Sequence, residues 1–104
     1  MSGIDTETVQ DVETQSEKKT AEPPLYKVLL HNDDYTTKEF VVNILASVFN
    51  KTLDDAVRLM WHIHRSGVGV AGVYPFEVAE TKIRMVEALA KENGFPLKTT
   101  MEKE

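Results

Sequence analysis

Residues 25–36, LYKVLLHNDDYT, begin with a short, mostly apolar run that is followed directly by polar residues. The rest of the fold can be predicted outward from this stretch. The side chains over residues 25–30 fall on two alternating faces, which predicts a strand. Asn32, Asp33 and Asp34 follow the strand almost directly. We therefore expect oxygen acceptors at the rim of the core that this strand enters.

Two helices are predicted after this polar turn. Thr36 and Glu39 have the spacing of a capping box, and apolar residues follow at helical intervals. This pattern predicts a first helix over residues 37–49. A second capping signal begins at Thr52 and predicts a second helix that ends at Gly67.

The second half of the chain contains two further strands and one helix. Valine and glycine alternate over residues 68–74, which predicts a strand with a bulge or a closely approaching chain. Pro75 suits the first position of a third helix that continues to Gly94. Residues 97–101 alternate again and predict a closing strand. The order βααβαβ indicates an α+β domain, with a small three-stranded antiparallel sheet packed with three helices.

The first 22 residues differ in composition from the rest of the chain. They are polar and acidic, and they contain few large apolar side chains. Such a segment cannot bury enough surface to offset its chain entropy. We predict a disordered acidic tail over residues 1–22 and a folded domain over residues 23–104.

Composition narrows the classes of function. The chain has 104 residues, no cysteine and a formal charge of −5. Disulfides and thiolate chemistry are excluded, and the negative charge argues against a nucleic-acid partner, which needs clustered Lys and Arg. No stretch is apolar for the ~20 residues that a membrane span requires. The opening residues lack the pattern of a secretory signal, so we expect a cytoplasmic protein.

The acceptors after the first strand allow more than one interpretation. Asn32, Asp33, Asp34 and the ring of His64 could together surround a cation. However, an Asn-Asp-Asp run before a helix is also typical of turn chemistry, since these side chains bond to neighbouring backbone groups. A histidine on the apolar side of a helix is more often a core residue.

A metal-dependent hydrolase that uses His31, Asp33 and His64 is the main alternative function. His62 and His64 cannot share one ion, because side chains two apart on a helix point about 200° apart. An acid-base pair of Asp33 and His64 would lack a nucleophile-bearing turn such as G-x-S-x-G. We therefore expect neither an enzyme nor a metal cofactor.

Four segments of the chain are more specific than any of these patterns. In order and spacing they resemble the ClpS family, the adaptors that deliver proteins to the AAA+ protease ClpAP. The segments are YKVLLHNDDYT (26–36), LMWHIHRSG (59–67), GVYPFEVAETK (72–82) and ENGFPL (92–97).

The resemblance implies a binding site for the first residue of a substrate. ClpS-like proteins recognise N-degrons that begin with Phe, Leu, Trp or Tyr. Matched by position, Asn32, Asp33 and His64 would hold the α-ammonium and the first peptide groups. The side-chain pocket would be lined by Lys38, Val41, Ile44, Met60, Ile63 and Leu97. Asp34 would shape the turn and cap the helix without touching the ligand.

The resemblance also implies a docking surface for the unfoldase. Glu77, Glu80 and Lys82 match the helix region that docks on the amino-terminal domain of ClpA or of a ClpC-type unfoldase. The tail over residues 1–22 would take part in handing over the substrate. An adaptor that docks on the protease without reading amino termini is a further alternative.

Four positions depart from the family pattern. Where better-known members have Pro-Met, this chain has Thr37-Lys38, so a lysine stands where a gate against β-branched side chains is expected. His31 and Trp61 also differ from the apolar or smaller residues that the pattern leads us to expect. Tolerance of Ile or Val at the substrate terminus is therefore open.

Overall fold

The computed structural model describes residues 22–104. The predicted order βααβαβ and the α+β class are confirmed. Apart from Glu22, the predicted tail lies outside the described residues. The elements are β1 (Leu25–His31), α1 (Lys38–Ser47), α2 (Leu53–Ser66), β2 (Val68–Pro75), α3 (Phe76–Glu92) and β3 (Lys98–Lys103).

The strands form one antiparallel sheet in the order β2-β1-β3, so the opening strand lies at its centre. The β1–β2 register shifts between Val28, which pairs with Gly72, and Leu29, which pairs with Val70. Ala71 is thus the extra residue of a β-bulge, which confirms the bulge predicted from the Gly-Val pattern.

The helices cover one face of this sheet. Val28 and Leu30 of β1 are fully buried on that face, whereas Lys27 on the other face lies 3.7 Å from Glu102 across the β1–β3 pair. Full burial of one such aliphatic side chain contributes about 1.5–3 kcal/mol. The core is therefore shared by β1 and all three helices; its largest fully buried side chains are Leu30, Ile44, Leu45, Ile63, Val28, Val48 and Val86.

The first helix begins one residue later than its capping signal predicts. Thr37 is the N-cap, because its Oγ1 accepts a hydrogen bond from the N–H of Phe40 at 3.1 Å. The Thr36 hydroxyl donates to Asp33 instead, so the predicted capping box at Thr36 is wrong. The helix ends at Ser47, before the predicted limit at residue 49.

The other boundaries agree closely with the prediction. Thr52 caps α2 by accepting from the N–H of Asp55 at 3.2 Å, and α2 ends at Ser66, followed by the C-cap residue Gly67 with a left-handed φ of 90°. Pro75 is the last residue of β2 and precedes α3, where the prediction had it open the helix. The closing strand begins at Lys98. Across residues 22–104, no helix combines the length and apolar character needed to cross a membrane.

Candidate functional site

A cavity of about 170 Å³ opens where β1 ends. Its wall combines the loop after β1 with side chains of α1 and α2. The lining residues are Asn32, Asp33, Asp34, Thr36, Lys38, Val41, Met60, Ile63 and His64. We call this space the terminal cavity.

One backbone hydrogen bond brings the two halves of its rim together. The N–H of Asn32 donates to the carbonyl oxygen of Gly67 at 2.8 Å, and the N–H of Gly67 donates to Ile63 at 2.8 Å. The end of β1 is thereby fixed against the last turn of α2, which carries His64. His64 is exposed, so its interpretation as a core histidine is wrong. Asn32 and His64 therefore both line one solvent-accessible cavity.

Asp33 builds the turn between β1 and α1. Its Oδ1 accepts from the N–H groups of Tyr35 at 2.8 Å and Thr36 at 2.7 Å, and its Oδ2 accepts from the Thr36 hydroxyl at 2.7 Å. Partial burial acts to raise the pKa of Asp33, but the hydrogen bonds from Thr36 and Tyr35 together hold it below its usual value. The carboxylate is therefore ionised and fixed at the cavity rim.

Asp34 has the opposite environment. Its side chain is exposed and lines the cavity, and within residues 22–104 it makes no hydrogen bond. The expectation that Asp34 shapes the turn and caps the helix is wrong, because Asp33 shapes the turn and Thr37 caps the helix. No spacing rule decides which of two adjacent aspartates bonds to the backbone of the turn, and here it is Asp33.

The deeper wall of the cavity is apolar. Val41, Met60 and Ile63, three of the residues expected in a side-chain pocket, line it together with Lys38. Ile44 and Leu97 do not line it; they are 1% and 6% exposed and belong to the core cluster. Ile44 lies one helical turn beyond Val41 on α1, within this core cluster.

A second, larger cavity adjoins the first and was not predicted. Its volume is about 420 Å³, and we call it the helix groove because α1 and α2 form its walls. It is lined by Lys38, Glu39, Val42, Val57, Met60 and Trp61. Lys38 and Met60 line both spaces and so form the partition between them. The position of Trp61 off the main apolar stripe was the one available sequence signal.

Trp61 stands among cationic and aromatic neighbours at the groove. The Lys38 Nζ lies 5.7 Å and the Arg65 Cζ 5.3 Å from its ring centroid, both within cation–π range. The ring of His64 meets it edge-on, with centroids 5.7 Å apart. Trp61 therefore links the groove to the rim of the terminal cavity.

The residues matched to unfoldase docking lie on α3 and differ in their local contacts. Glu77 is exposed, and Glu80 lies 3.5 Å from Arg84 one turn along the helix. Lys82 is half-buried, and its Nζ donates to the carbonyl oxygen of Val48 at 2.6 Å. Lys82 therefore holds α3 against the end of α1, where a cation is favoured by the helix dipole.

The arrangement does not support the metal-dependent hydrolase. The Nε2 of His31 lies 2.7 Å from Thr100 Oγ1 on β3, and His31 does not line the terminal cavity with Asp33 and His64. In the part of the chain that the structure describes, no three His, Cys, Asp or Glu side chains are grouped as metal ligands. The three residues of the alternative therefore do not form one centre.

The sequence matches a family model over most of its length. Residues 21–100 match the model described as ATP-dependent Clp protease adaptor protein ClpS. The chain belongs to the ClpS family. Members of this family are adaptors of the Clp protease and not catalytic enzymes, which agrees with the expectation of a non-enzyme.

Several curated ClpS proteins of bacteria are similar to this chain over nearly its whole length. The ATP-dependent Clp protease adapter protein ClpS of Myxococcus xanthus is 60% identical over 92 residues, which cover 88% of this chain and 86% of that protein. The ClpS of Desulfatibacillum aliphaticivorans is 57% identical over 98 residues, or 94% of each chain. Each of these similarities covers more than four fifths of both chains.

A solved structure of a ClpS protein has the same fold. Agrobacterium tumefaciens ClpS2 bound to L-phenylalaninamide superposes with a TM-score of 0.77 at 47% sequence identity, and the match covers 80% of this chain and 100% of that chain. The fold predicted from the family resemblance is therefore confirmed.

Proposed function

We propose that the protein is an adaptor that binds the amino-terminal Phe, Leu, Trp or Tyr of N-degron substrates and delivers them to the AAA+ protease ClpAP. The observation that best supports this proposal is the terminal cavity, whose rim is rich in hydrogen-bond acceptors and whose inner wall is apolar. An amino-terminal residue with a large apolar side chain complements both parts, because its ammonium group donates hydrogen bonds and its side chain is apolar. The structure of Agrobacterium tumefaciens ClpS2 with L-phenylalaninamide, a compact analogue of such a terminus, supports this assignment.

The rim offers the acceptors that an α-ammonium group requires. The ammonium donates three hydrogen bonds in a tetrahedral arrangement and carries a positive charge at neutral pH. In the proposed site, the Asn32 amide oxygen, the His64 ring nitrogen and the aspartates accept them. Asp34 contributes the carboxylate that has no partner in the described chain. Asp33 contributes its charge and the remaining acceptor capacity of Oδ2.

This chemistry distinguishes a free terminus from other peptide groups. An acetylated terminus or an internal residue carries no charge and leaves the rim carboxylates and Asn32 without donors. Unsatisfied groups of this kind cost about 1–3 kcal/mol each, and each 1.4 kcal/mol is tenfold in affinity. Selectivity for free termini of at least tenfold follows.

The apolar wall selects the side chain of the terminal residue. Val41, Met60 and Ile63 present no polar group to an entering side chain, so charged or short residues gain little from the site. Lys38 stands at the edge of this wall where the family resemblance places a gate. Its flexible stem makes the space for branched side chains depend on how the lysine folds against Trp61.

Delivery requires a second surface for the unfoldase. We assign it to Glu77, Glu80 and Lys82 on α3, with the amino-terminal domain of ClpA or a ClpC-type unfoldase as partner. Glu77 is the residue of the three that is exposed, and so it is the best single probe of docking. Residues 1–22 are assigned to substrate handover, and the site of action is the cytoplasm.

A peptide array that varies only the first residue tests the binding function. We expect strong signals for Phe, Leu, Trp and Tyr and background signals for Asp, Lys and Gly. The array should be unchanged by a chelator, whereas loss of signal on chelation would favour the hydrolase alternative. Degradation of a Phe-initial reporter by ClpAP should accelerate when the protein is added. Unchanged or slower degradation would identify an adaptor that docks without delivering.

A further inference from the structure

We infer that the helix groove is a second substrate subsite, which takes the side chain of the third residue of the bound chain and favours a large apolar or aromatic group there. This inference rests on the proposed function, because it assumes a peptide whose terminus occupies the terminal cavity. It assigns a role to the 420 Å³ space and to Trp61.

The two cavities are adjacent compartments of one surface. Both spaces are lined by Lys38 and Met60, so these two side chains lie between them. A peptide that leaves the terminal cavity over these two side chains enters the groove directly. The groove is therefore continuous with the proposed binding site.

One face of α2 runs from the terminal cavity into the groove. His64, Trp61 and Val57 are spaced by three and four residues, so they form a single stripe on the helix. His64 lies at the ammonium end, and Val57 lies about 10 Å further along the axis at 1.5 Å per residue. A chain whose amino group is held near His64 must extend away from it, and this stripe offers the direction.

The spacing selects the third residue over the second. In an extended chain, side chains of residues one and three point to the same face and lie about 6.6 Å apart, whereas the second side chain points away. A first side chain in the terminal cavity thus places the third on the same face, beyond the Lys38–Met60 partition. The second side chain is left toward solvent.

The lining determines which side chains fit. Val42, Val57, Met60 and the face of Trp61 supply apolar contact. Lys38 and Arg65 lie over the Trp61 ring and Glu39 also lines the groove, so a charged side chain at the third position meets charges of both signs. Leu, Phe or Trp should bind best, Lys should bind less tightly than these, and Gly should gain nothing from the groove.

The test compares dissociation constants of carboxyl-terminally labelled peptides by fluorescence anisotropy. All begin with Phe; one set varies the third residue among Leu, Trp, Gly and Lys, and a second set varies the second residue. For the unmodified protein we expect Leu or Trp to bind about five- to tenfold tighter than Gly at position three, as partial burial of one large side chain allows. Variation at position two should change affinity less than twofold.

Variants then locate the preference on the protein. The readout is the Gly-to-Leu ratio of dissociation constants at position three, which is internal to each variant and does not depend on its overall affinity. Trp61→Ala should bring the ratio close to one, and Val57→Ser should reduce it, which provides a second variant if the first does not fold. Phe76→Ala, a matched control at an exposed aromatic residue outside both cavities, should retain the full ratio.

Three outcomes would overturn the subsite. They are a ratio near one in the unmodified protein, a preference at position two in place of position three, and a ratio that survives in Trp61→Ala. In each of these the Phe-initial peptides still bind, so the proposed function stands. Absence of binding by every Phe-initial peptide would instead reject the proposed function, and the subsite with it.

Discussion

The backbone N–H of Asn32 donates to the carbonyl oxygen of Gly67 at 2.8 Å, and this bond joins the end of β1 to the end of α2. Asn32 and His64 belong to elements far apart in sequence, yet both line the terminal cavity because of this junction. Gly67 can terminate the helix at this point since its φ of 90° is readily adopted only by glycine. The acceptor rim thus depends on one left-handed residue.

Gly67→Ala should therefore impair both stability and binding. A left-handed alanine costs about 1–2 kcal/mol, and relief of that strain would shift the carbonyl that holds Asn32. Gly94→Ala is the matched control, because Gly94 also has a left-handed φ, of 76°, and similarly open surroundings, but lies outside the cavity lining. Urea unfolding should show similar losses for both variants, while only Gly67→Ala weakens binding of L-phenylalaninamide. If the two variants bound L-phenylalaninamide with equal affinity, the hydrogen bond between Asn32 and Gly67 would have no role in forming the binding site.

Asp33→Asn and Asp34→Asn should separate the two aspartates. Asp33 accepts three hydrogen bonds in the turn, so its replacement should lower the free energy of unfolding by about 1 kcal/mol and also weaken binding. Asp34→Asn should leave stability within about 0.5 kcal/mol while weakening binding of a Phe-initial peptide about tenfold, through loss of a carboxylate facing the ammonium. Thermal unfolding gives the stability of each variant, and fluorescence anisotropy gives its affinity for the peptide. Unchanged affinity in Asp34→Asn would remove that residue from the site.

The turn also predicts a dependence of stability on pH. Although partial burial opposes it, hydrogen bonding by Thr36 and Tyr35 lowers the pKa of Asp33 in the folded protein. The stability that this carboxylate contributes is therefore present above its unfolded pKa of about 3.9 and is lost as the pH falls through the lower folded pKa. In urea titrations, the gap between the unmodified protein and Asp33→Asn should narrow as the pH falls below about 3.9. A gap that is independent of pH would show that the charge of Asp33 does not contribute to the stability of the fold.

Much of the fold could be predicted because its signals are local. Alternation in β1, the cap at Thr52 and the glycine stop at Gly67 each depend on neighbouring residues, and all are confirmed. The roles of Asp33 and Asp34 could not be predicted, because adjacent carboxylates have the same chemistry and the path of the turn decides which one reaches the backbone. Predicting the burial of Ile44 requires knowing how α1 is rotated on the core.

The helix groove escaped prediction for a related reason. A groove between two helices is a property of their packing, and a sequence gives only the faces that each helix presents. Trp61 could be placed off the main apolar stripe, but its cationic neighbours come partly from α1. Likewise, the hydrogen bond of Lys82 to Val48 spans 34 residues of sequence, and no local pattern indicates it.

Lys82 and Glu77 should differ when each is replaced. Lys82→Met removes the donor to Val48 and should lower the free energy of unfolding by about 1–2 kcal/mol, as well as weaken docking on the ClpA amino-terminal domain. Glu77→Gln, at an exposed position, should weaken docking alone. Calorimetric unfolding and surface plasmon resonance give the two readouts. If Glu77→Gln docks with full affinity, the assignment of the docking surface to this part of α3 is contradicted.

We expect the terminal cavity to bind a free, charged amino terminus. Isothermal titration with a Phe-initial peptide and its N-acetylated twin tests it most directly, since the two differ only in the group that the rim should hold. We predict saturable one-to-one binding of the free peptide and affinity at least tenfold weaker for the acetylated one. Equal affinity of the two peptides, or no binding of the free one, would contradict the account.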